Sequence, residues 1–300
     1  VTIRVRDDRN RVISMSAPPK RVVSLVPSDT LNVCAVGAAG ALVGRTDFCD
    51  LAHTDFGDVV ARVPSVGGTK NPRVDDVIDL APDLVIANQE ENTRADLEKL
   101  AQRGVRVLVA FPKRVAEGLA HLARLARVFG VENDPHVKDL VRGGYDALRR
   151  AEDARASRAP VRTFCPIWMD PLMTIHGATF ISDMLDLCGA QNVFADRERR
   201  YPLAADVGAA KPLPPEKIEG RDVRYPRVSL DEVVRRAPEL VLLPNEPHPF
   251  SEADAEVFRR ALPNARVAFI DGKNLCWYGA QSVVGIDQVR ESVASIPKTA

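Results

Sequence analysis

A helix end, a buried strand and a polar loop occur twice in this chain of 300 residues, and that repetition narrows the available folds more than any other feature. The stretch LAPDLVIANQEEN at 80–92 returns as RAPELVLLPNEPH at 236–248. Widening the comparison to 74–92 and 230–248 needs no gap. Identities fall at Asp75/Asp231, Val77/Val233, Ala81/Ala237, Pro82/Pro238, Leu84/Leu240, Val85/Val241 and Glu90/Glu246. Asp76/Glu232, Ile78/Val234, Asp83/Glu239 and Ile86/Leu242 are conservative pairs. Each copy has acids where a helix begins, which favours the helix dipole, and a Pro that stops the helix. A buried strand and a loop bearing Glu follow. Some pairs are ordinary αβ grammar, but the set points to two related halves.

Apolar runs alternating with amphipathic stretches surround both copies, which implies parallel sheets with helices on their faces. RVVSLVP from Arg21 reads as a strand ending in a polar turn, and TLNVCAVGAAGALVG as a helix. Helix 73–81, strand 83–87, helix 93–102 with Thr93 as N-cap, strand 105–110 and a helix from Lys113 to Phe129 follow. Val115, Leu119, Leu122, Ala126 and Phe129 share one face of the last. The next helix opens on Asp134 with Pro135 at its first position and carries Val137, Leu140, Val141, Tyr145 and Leu148 on one face. It spans about 36 Å if it runs to Ser157. Gly143-Gly144 within it marks a bend or a close packing contact. The expected organisation is therefore an N-terminal α/β lobe at 1–132, a linking helix at 133–158 and a C-terminal α/β lobe at 159–300. Residues 197–228 are charged, Pro-rich and aperiodic; a loop of that length is functional or disordered.

Open parallel sheets bind ligands beyond the carboxyl ends of their strands. The loops at such ends are PSDT (27–30), 88–92, PIWMDPLMT (166–174), 244–250 and DGKNLCWYG (271–279). If the lobes face each other across the linking helix, these loops meet in one cleft, with Glu90 and Glu246 as partners. Both tryptophans, Trp168 and Trp277, fall in this set, and Tyr278 adjoins the second. A lone Trp is most often core, but this joint placement points to a ligand-facing surface. The expected ligand contacts are Trp168, Met173, Trp277 and Tyr278 as apolar groups, with Asn88, Glu90, Tyr225 and Glu246 as polar ones.

The chain resembles the cobalamin-receptor-like, or helical-backbone metal receptor, branch of the periplasmic substrate-binding proteins. The resemblance rests on RVVSLVPSDT, VGRTDFCD, VGGTKNPRVDDVIDLAPDLVIANQEEN, GVRVLV, WMDPLMTIHG, RYPRVSLDEV, LPNEP and WYG in that order, and covers nearly the whole chain. It implies two Rossmann-like α/β lobes joined by a single long backbone helix, the class III arrangement. It also implies a bound corrinoid, haem or ferric siderophore, a corrinoid ahead of the others, for delivery to an ABC transporter permease. One acidic residue per lobe would dock on the permease; by position these are Asp75 and Asp231, where the better-known cobalamin receptors carry Glu.

Enzyme signatures are lacking. VGGTKNP is neither GxGxxG nor GxxxxGK[ST], no GxSxG or HExxH occurs, and adjacent Glu90 and Glu91 have no nucleophile or cofactor motif beside them. The five cysteines form no CxxC pair and read as buried apolar residues or loop thiols. His121 and His136 fall on expected helices, as surface or interfacial residues. His176 and His248 fall in the ligand loops and are the weak metal-ligand candidates. Lys+Arg and Asp+Glu balance at 41 each, which argues against a nucleic-acid partner. The expectation is thus a monomeric binding protein with no intrinsic cofactor and a small-molecule metal complex as ligand. The alternative is a cytosolic cofactor- or metal-handling enzyme or accessory protein on the same fold. The N-terminal stretch lacks a signal-peptide core and begins with Val, so an extracytoplasmic place follows if a leader was removed, and a cytoplasmic one otherwise.

Overall fold

The apolar runs become the strands of two parallel four-stranded sheets. In the computed structural model, which describes residues 2–294, the chain divides into two compact units. One comprises the chain to Asp146 together with Trp277–Val283. The other comprises Ala147–Cys276 and the chain from Val284 onward.

The first unit opens with a hairpin, β1 (Ile3–Arg6) and β2 (Val12–Met15), turning at buried Asp7, whose carboxylate accepts from the Arg11 side chain. Next come β3 (Val22–Ser24), α1 (Pro27–Ala35), β4 (Leu42–Arg45), α2 (Gly57–Ala61), α3 (Val74–Asp79), β5 (Leu84–Asn88), α4 (Arg94–Gln102), β6 (Val107–Ala110) and α5 (Val115–Val128). The sheet runs β4-β3-β5-β6 with every pair parallel. All five residues of β5 are buried, as a strand covered on both faces must be, and each large aliphatic side chain there contributes about 1.5–3 kcal/mol. Thr93 caps α4 as expected, accepting from Asp96 N at 3.2 Å. The apolar face of α5 is buried from Val115 to Phe129.

Helix α6 (Pro135–Ala156) begins where Asp134 accepts from His136 N at 2.8 Å, and the division between the units falls inside it. Its buried stripe is Val137, Gly144, Ala147 and Ala151; Tyr145, expected on that face, is 38% exposed. Gly144 marks a close contact, since a Cβ there would lie 2.5 Å from Leu119 Cδ2.

The second unit contains β7 (Val161–Phe164), β8 (Pro166–Trp168), β9 (Met173–Thr174), α7 (Phe180–Leu187), β10 (Ala190–Asn192), α8 (Leu230–Arg236), β11 (Leu240–Pro244), α9 (Glu252–Ala261), β12 (Arg266–Ile270), α10 (Gly272–Cys276) and most of α11 (Ala280–Ala294). Its sheet runs β10-β7-β11-β12, again all parallel. Both sheets therefore have their first strand second, their second strand on the outside, and their third and fourth continuing on the other flank. The repeat seen over nineteen residues extends to the topology of each sheet.

It extends to the backbone as well. Ala81 and Ala237 both adopt the left-handed conformation, φ 43° and 44°, ending α3 and α8 immediately before Pro. In both copies an Arg at the foot of the neighbouring strand donates to the last helix carbonyls. Arg21 Nη2 reaches Leu80 O at 2.6 Å, and Arg162 donates to Arg236 O and, at 3.3 Å, to Ala237 O. The acid after Pro closes the motif: Asp83 accepts from Arg21 N at 2.9 Å and Glu239 from Arg162 N at 2.9 Å.

Several segments depart from the sequence-based assignment. PSDT is no loop: Pro27 starts α1, and Thr30 Oγ1 bonds back to Ser24 Oγ and Val26 O, drawing the whole turn into the core. The expected helix through Gly44 stops at Ala35, because Leu42–Arg45 is taken up as the edge strand beside β3. PIWMDPLMT is the β8–β9 hairpin, and DGKNLCWYG contains α10. Ser229 caps α8. Ser229 Oγ accepts from Glu232 N at 3.2 Å, while the Glu232 carboxylate accepts from Arg197 Nε.

Candidate ligand-binding site

In each sheet the chain reverses its direction of growth between the first and third strands, and such switch points are where open α/β sheets bind ligands. In the first unit they are β3 and β5. Beyond β5, Asn88 Oδ1 accepts from Glu90 N at 2.7 Å, and Asn92 Oδ1 accepts from Asn88 N at 2.8 Å. Asn92 Nδ2 ties this turn to Leu25 O and Thr69 O. The loop 88–92 is therefore held by its own asparagines, with Glu90 and Glu91 half-buried at its rim and Lys70 donating to Glu90 O.

Beneath it lies a buried polar cluster. Asp29, on the first turn of α1, accepts from Tyr278 Oη at 2.7 Å and from Asn32 Nδ2 at 3.1 Å, and its Oδ1 is 2.9 Å from His121 Nε2. Asn88 Nδ2 donates to the same Tyr278 oxygen at 3.2 Å. Every member is buried. His121 Nδ1 meets no partner among the described residues, so Nε2, facing Asp29, is the ring nitrogen that donates. Burial, reinforced by the Asp29 charge, raises the Tyr278 phenol well above its ordinary pKa, keeping it a neutral donor. Gly279 follows at φ 82°, against Asn32, whose Oδ1 accepts from Ala280 N at 2.8 Å.

His121, expected at a surface or interface, is thus fully buried, because α5 presses its apolar face and this imidazole against α1. Tyr278 and Asn88 direct their polar atoms into the interior, and Trp277 is buried, 6.3 Å from the His53 ring. Sequence reasoning passed over Asp29. The signal was a carboxylate two residues after the Pro that follows the first sheet strand. Phe48, 64% exposed on the loop after β4, was likewise not singled out.

In the second unit the switch lies between β7 and β11, and the hairpin after β7 meets the loop after β11 there. Thr174 Oγ1 donates to Cys165 O at 2.7 Å, and the segment 224–228 adds to the hairpin: Thr174 N donates to Pro226 O, His176 N to Arg224 O, and Val228 N to Leu172 O. This sets Arg227 opposite half-buried Met173, with half-buried Tyr225 two residues earlier on the same segment. Trp168, at the end of β8, is 43% exposed, yet its Nε1 donates to Asp170 O at 2.9 Å. Its ring packs on His248, 5.2 Å between centroids, and His248 in turn packs edge-on against buried Phe250 at 4.7 Å. Phe250 belongs to the core of the unit. The exposed indole is therefore anchored through two rings to the interior, and is a fixed apolar face rather than a waving side chain. Glu246 lies half-buried in the same loop.

Among the described residues no group of three or more His, Cys, Asp and Glu side chains could hold a metal ion. His176 Nδ1 accepts from Ala178 N at 3.0 Å. Four cysteines are buried, and burial raises Cys34, Cys165 and Cys188 to about 12, which suppresses the thiolate that coordinates metals. Asp75 and Asp231 are exposed in the first turns of α3 and α8.

A sequence model of the periplasmic binding proteins matches residues 22–243, and the chain belongs to that family. The family is one of binding proteins, and this chain is a binding protein, not an enzyme. Among its relatives is the vitamin B12-binding protein of Yersinia pestis (strain Pestoides F), 26% identical over 282 residues, 93% of this chain and 88% of that one. The periplasmic vitamin B12-binding protein BtuF of Vibrio cholerae shares the fold, with a TM-score of 0.72, 21% identity and coverage of 92% of this chain and 97% of that one. A periplasmic haem-binding protein of Pseudomonas aeruginosa shares it at a TM-score of 0.68 and 19% identity, covering 93% of this chain and 94% of that one. These structures place the chain in the class III fold.

Proposed function

We propose that the chain binds a metal-containing macrocycle or chelate, a corrinoid in the first place and haem or a ferric siderophore after it, for delivery to an ABC transporter permease. The observation that carries this reading is the exposed, ring-anchored indole of Trp168 at a switch point, in a family of binding proteins. A flat, rigid apolar face suits a large macrocycle, and it loses little conformational freedom on binding. The vitamin B12-binding relatives favour a corrinoid.

Within the second unit Trp168, Met173, Tyr225 and Glu246 serve as ligand contacts, and within the first Glu90 is the corresponding candidate at the rim of loop 88–92. Asn88, Trp277 and Tyr278 act from within, holding loop 88–92 and the turn at Gly279 in place. Asp75 and Asp231 present exposed charge to the permease, where such residues act chiefly on association rate. A thermal-shift panel of cobalamin, cobinamide, haem and ferric chelates tests the reading. A saturable rise in unfolding midpoint with a corrinoid is expected, and a panel with no stabilising member would refute it.

A further inference from the structure

The aperiodic segment 197–228 is ordered, and while its end, 224–228, joins the β8–β9 hairpin, its earlier part has a centre of its own. It folds around Asp206, whose fully buried carboxylate accepts from Arg197 Nη1 at 3.2 Å, Arg200 N at 2.5 Å and Arg227 N at 3.1 Å, with Arg199 Nε at 3.9 Å. The Arg197 side chain, 6% exposed, also donates to Glu232 on α8. Asp206 and Glu232 are thereby already engaged. They nonetheless line a pocket that also holds four arginines, Arg197, Arg200, Arg235 and Arg236.

Two carboxylates face four guanidiniums in the lining, and Asp196 beside it is a third, so positive charge is in excess by one. Arg236 is held by Asp196 and Glu232. Arg200 and Arg235 are the two left without a carboxylate, for their exposed side chains make no hydrogen bond or ion pair among the described residues. Arg235 does not take the partner that Asp231 offers one turn earlier, although arginines elsewhere do, as Arg94 pairs with Glu98 and Arg260 with Glu256. Like charges gathered in a concavity raise its potential, and guanidinium forks match the geometry of oxyanions.

We propose that this pocket binds a small oxyanion, a phosphate or carboxylate group, with Arg200 and Arg235 as its direct ligands and the Asp206–Arg197–Glu232 system as a rigid frame. None of these residues is used in the reading of the metal complex, so this site stands independently of it.

Calorimetric titration with inorganic phosphate, and in a second arm with acetate, tests it at constant ionic strength balanced by chloride. The wild type and the exposed-arginine control Arg62→Gln should bind one of the two anions saturably. Arg200→Gln/Arg235→Gln should bind it about tenfold more weakly or worse. Preference for phosphate identifies a phosphate group, and preference for acetate a carboxylate such as a partner's acidic side chain. Absence of saturation with both anions, or equal affinity in the double variant, would overturn the proposal. Thermal unfolding without anion should be unchanged in the double variant, since both side chains are exposed and unpaired. Should it fail to fold, the single Arg200→Gln and Arg235→Gln variants carry the same comparison.

Discussion

The buried Tyr278 hydroxyl donates to Asp29 and accepts from Asn88. Tyr278→Phe removes the donor and leaves a buried carboxylate oxygen poorer by one hydrogen bond, at a cost of about 1–3 kcal/mol. The phenol's folded pKa is raised, so the unfolded chain ionises first as pH climbs. Its contribution is complete below the ordinary tyrosine value of about 10 and is lost above it. Chemical denaturation of both proteins from pH 8 upward should show a constant stability gap at first, which narrows above about pH 10. A gap that widens there would contradict the assigned proton. This cluster was only partly legible beforehand. The residues Asn88 and Tyr278 stood out by position, but their direction depended on Asp29 and His121, brought in from 92 residues apart by the packing of α5 on α1.

At the scale of the element, the paired αβ units show what local sequence can carry. The Pro, the buried strand and the acidic helix start were all readable, because each follows from local sterics or a short apolar run. The left-handed alanines were not, since Ala gives no sign of a positive φ. Their conformation is imposed by the following Pro and by Arg21 or Arg162 binding the helix end. Glycine tolerates that conformation better. Ala81→Gly and Ala237→Gly should each raise stability by up to about 1 kcal/mol, measured by denaturant titration. A loss comparable to that of an ordinary helical Ala→Gly change would contradict the shared backbone. Hairpin β8–β9 was missed for the opposite reason. Its pairing is completed by residues 224–228, some fifty positions away and inside the stretch without periodicity.

On the scale of the whole molecule, two α/β units with the same strand order place their loops at matching switch points, and the family is one of binding proteins. The sequence resemblance anticipated the class and the fold. It did not separate residues that face solvent from those that hold the loops beneath. Trp168 and Trp277 read alike as loop aromatics, yet one is 43% exposed and the other 6%. Trp277→Ala should therefore act mainly on stability, with a loss of about 3–5 kcal/mol, and is a poor test of binding. Trp168→Ala is the direct one. Calorimetric titration of the wild type and Trp168→Ala with cobalamin should give saturable binding in the first and affinity weaker by about 1–3 kcal/mol in the second. Equal affinity in the two proteins would contradict the assignment of Trp168 as the ligand-facing surface.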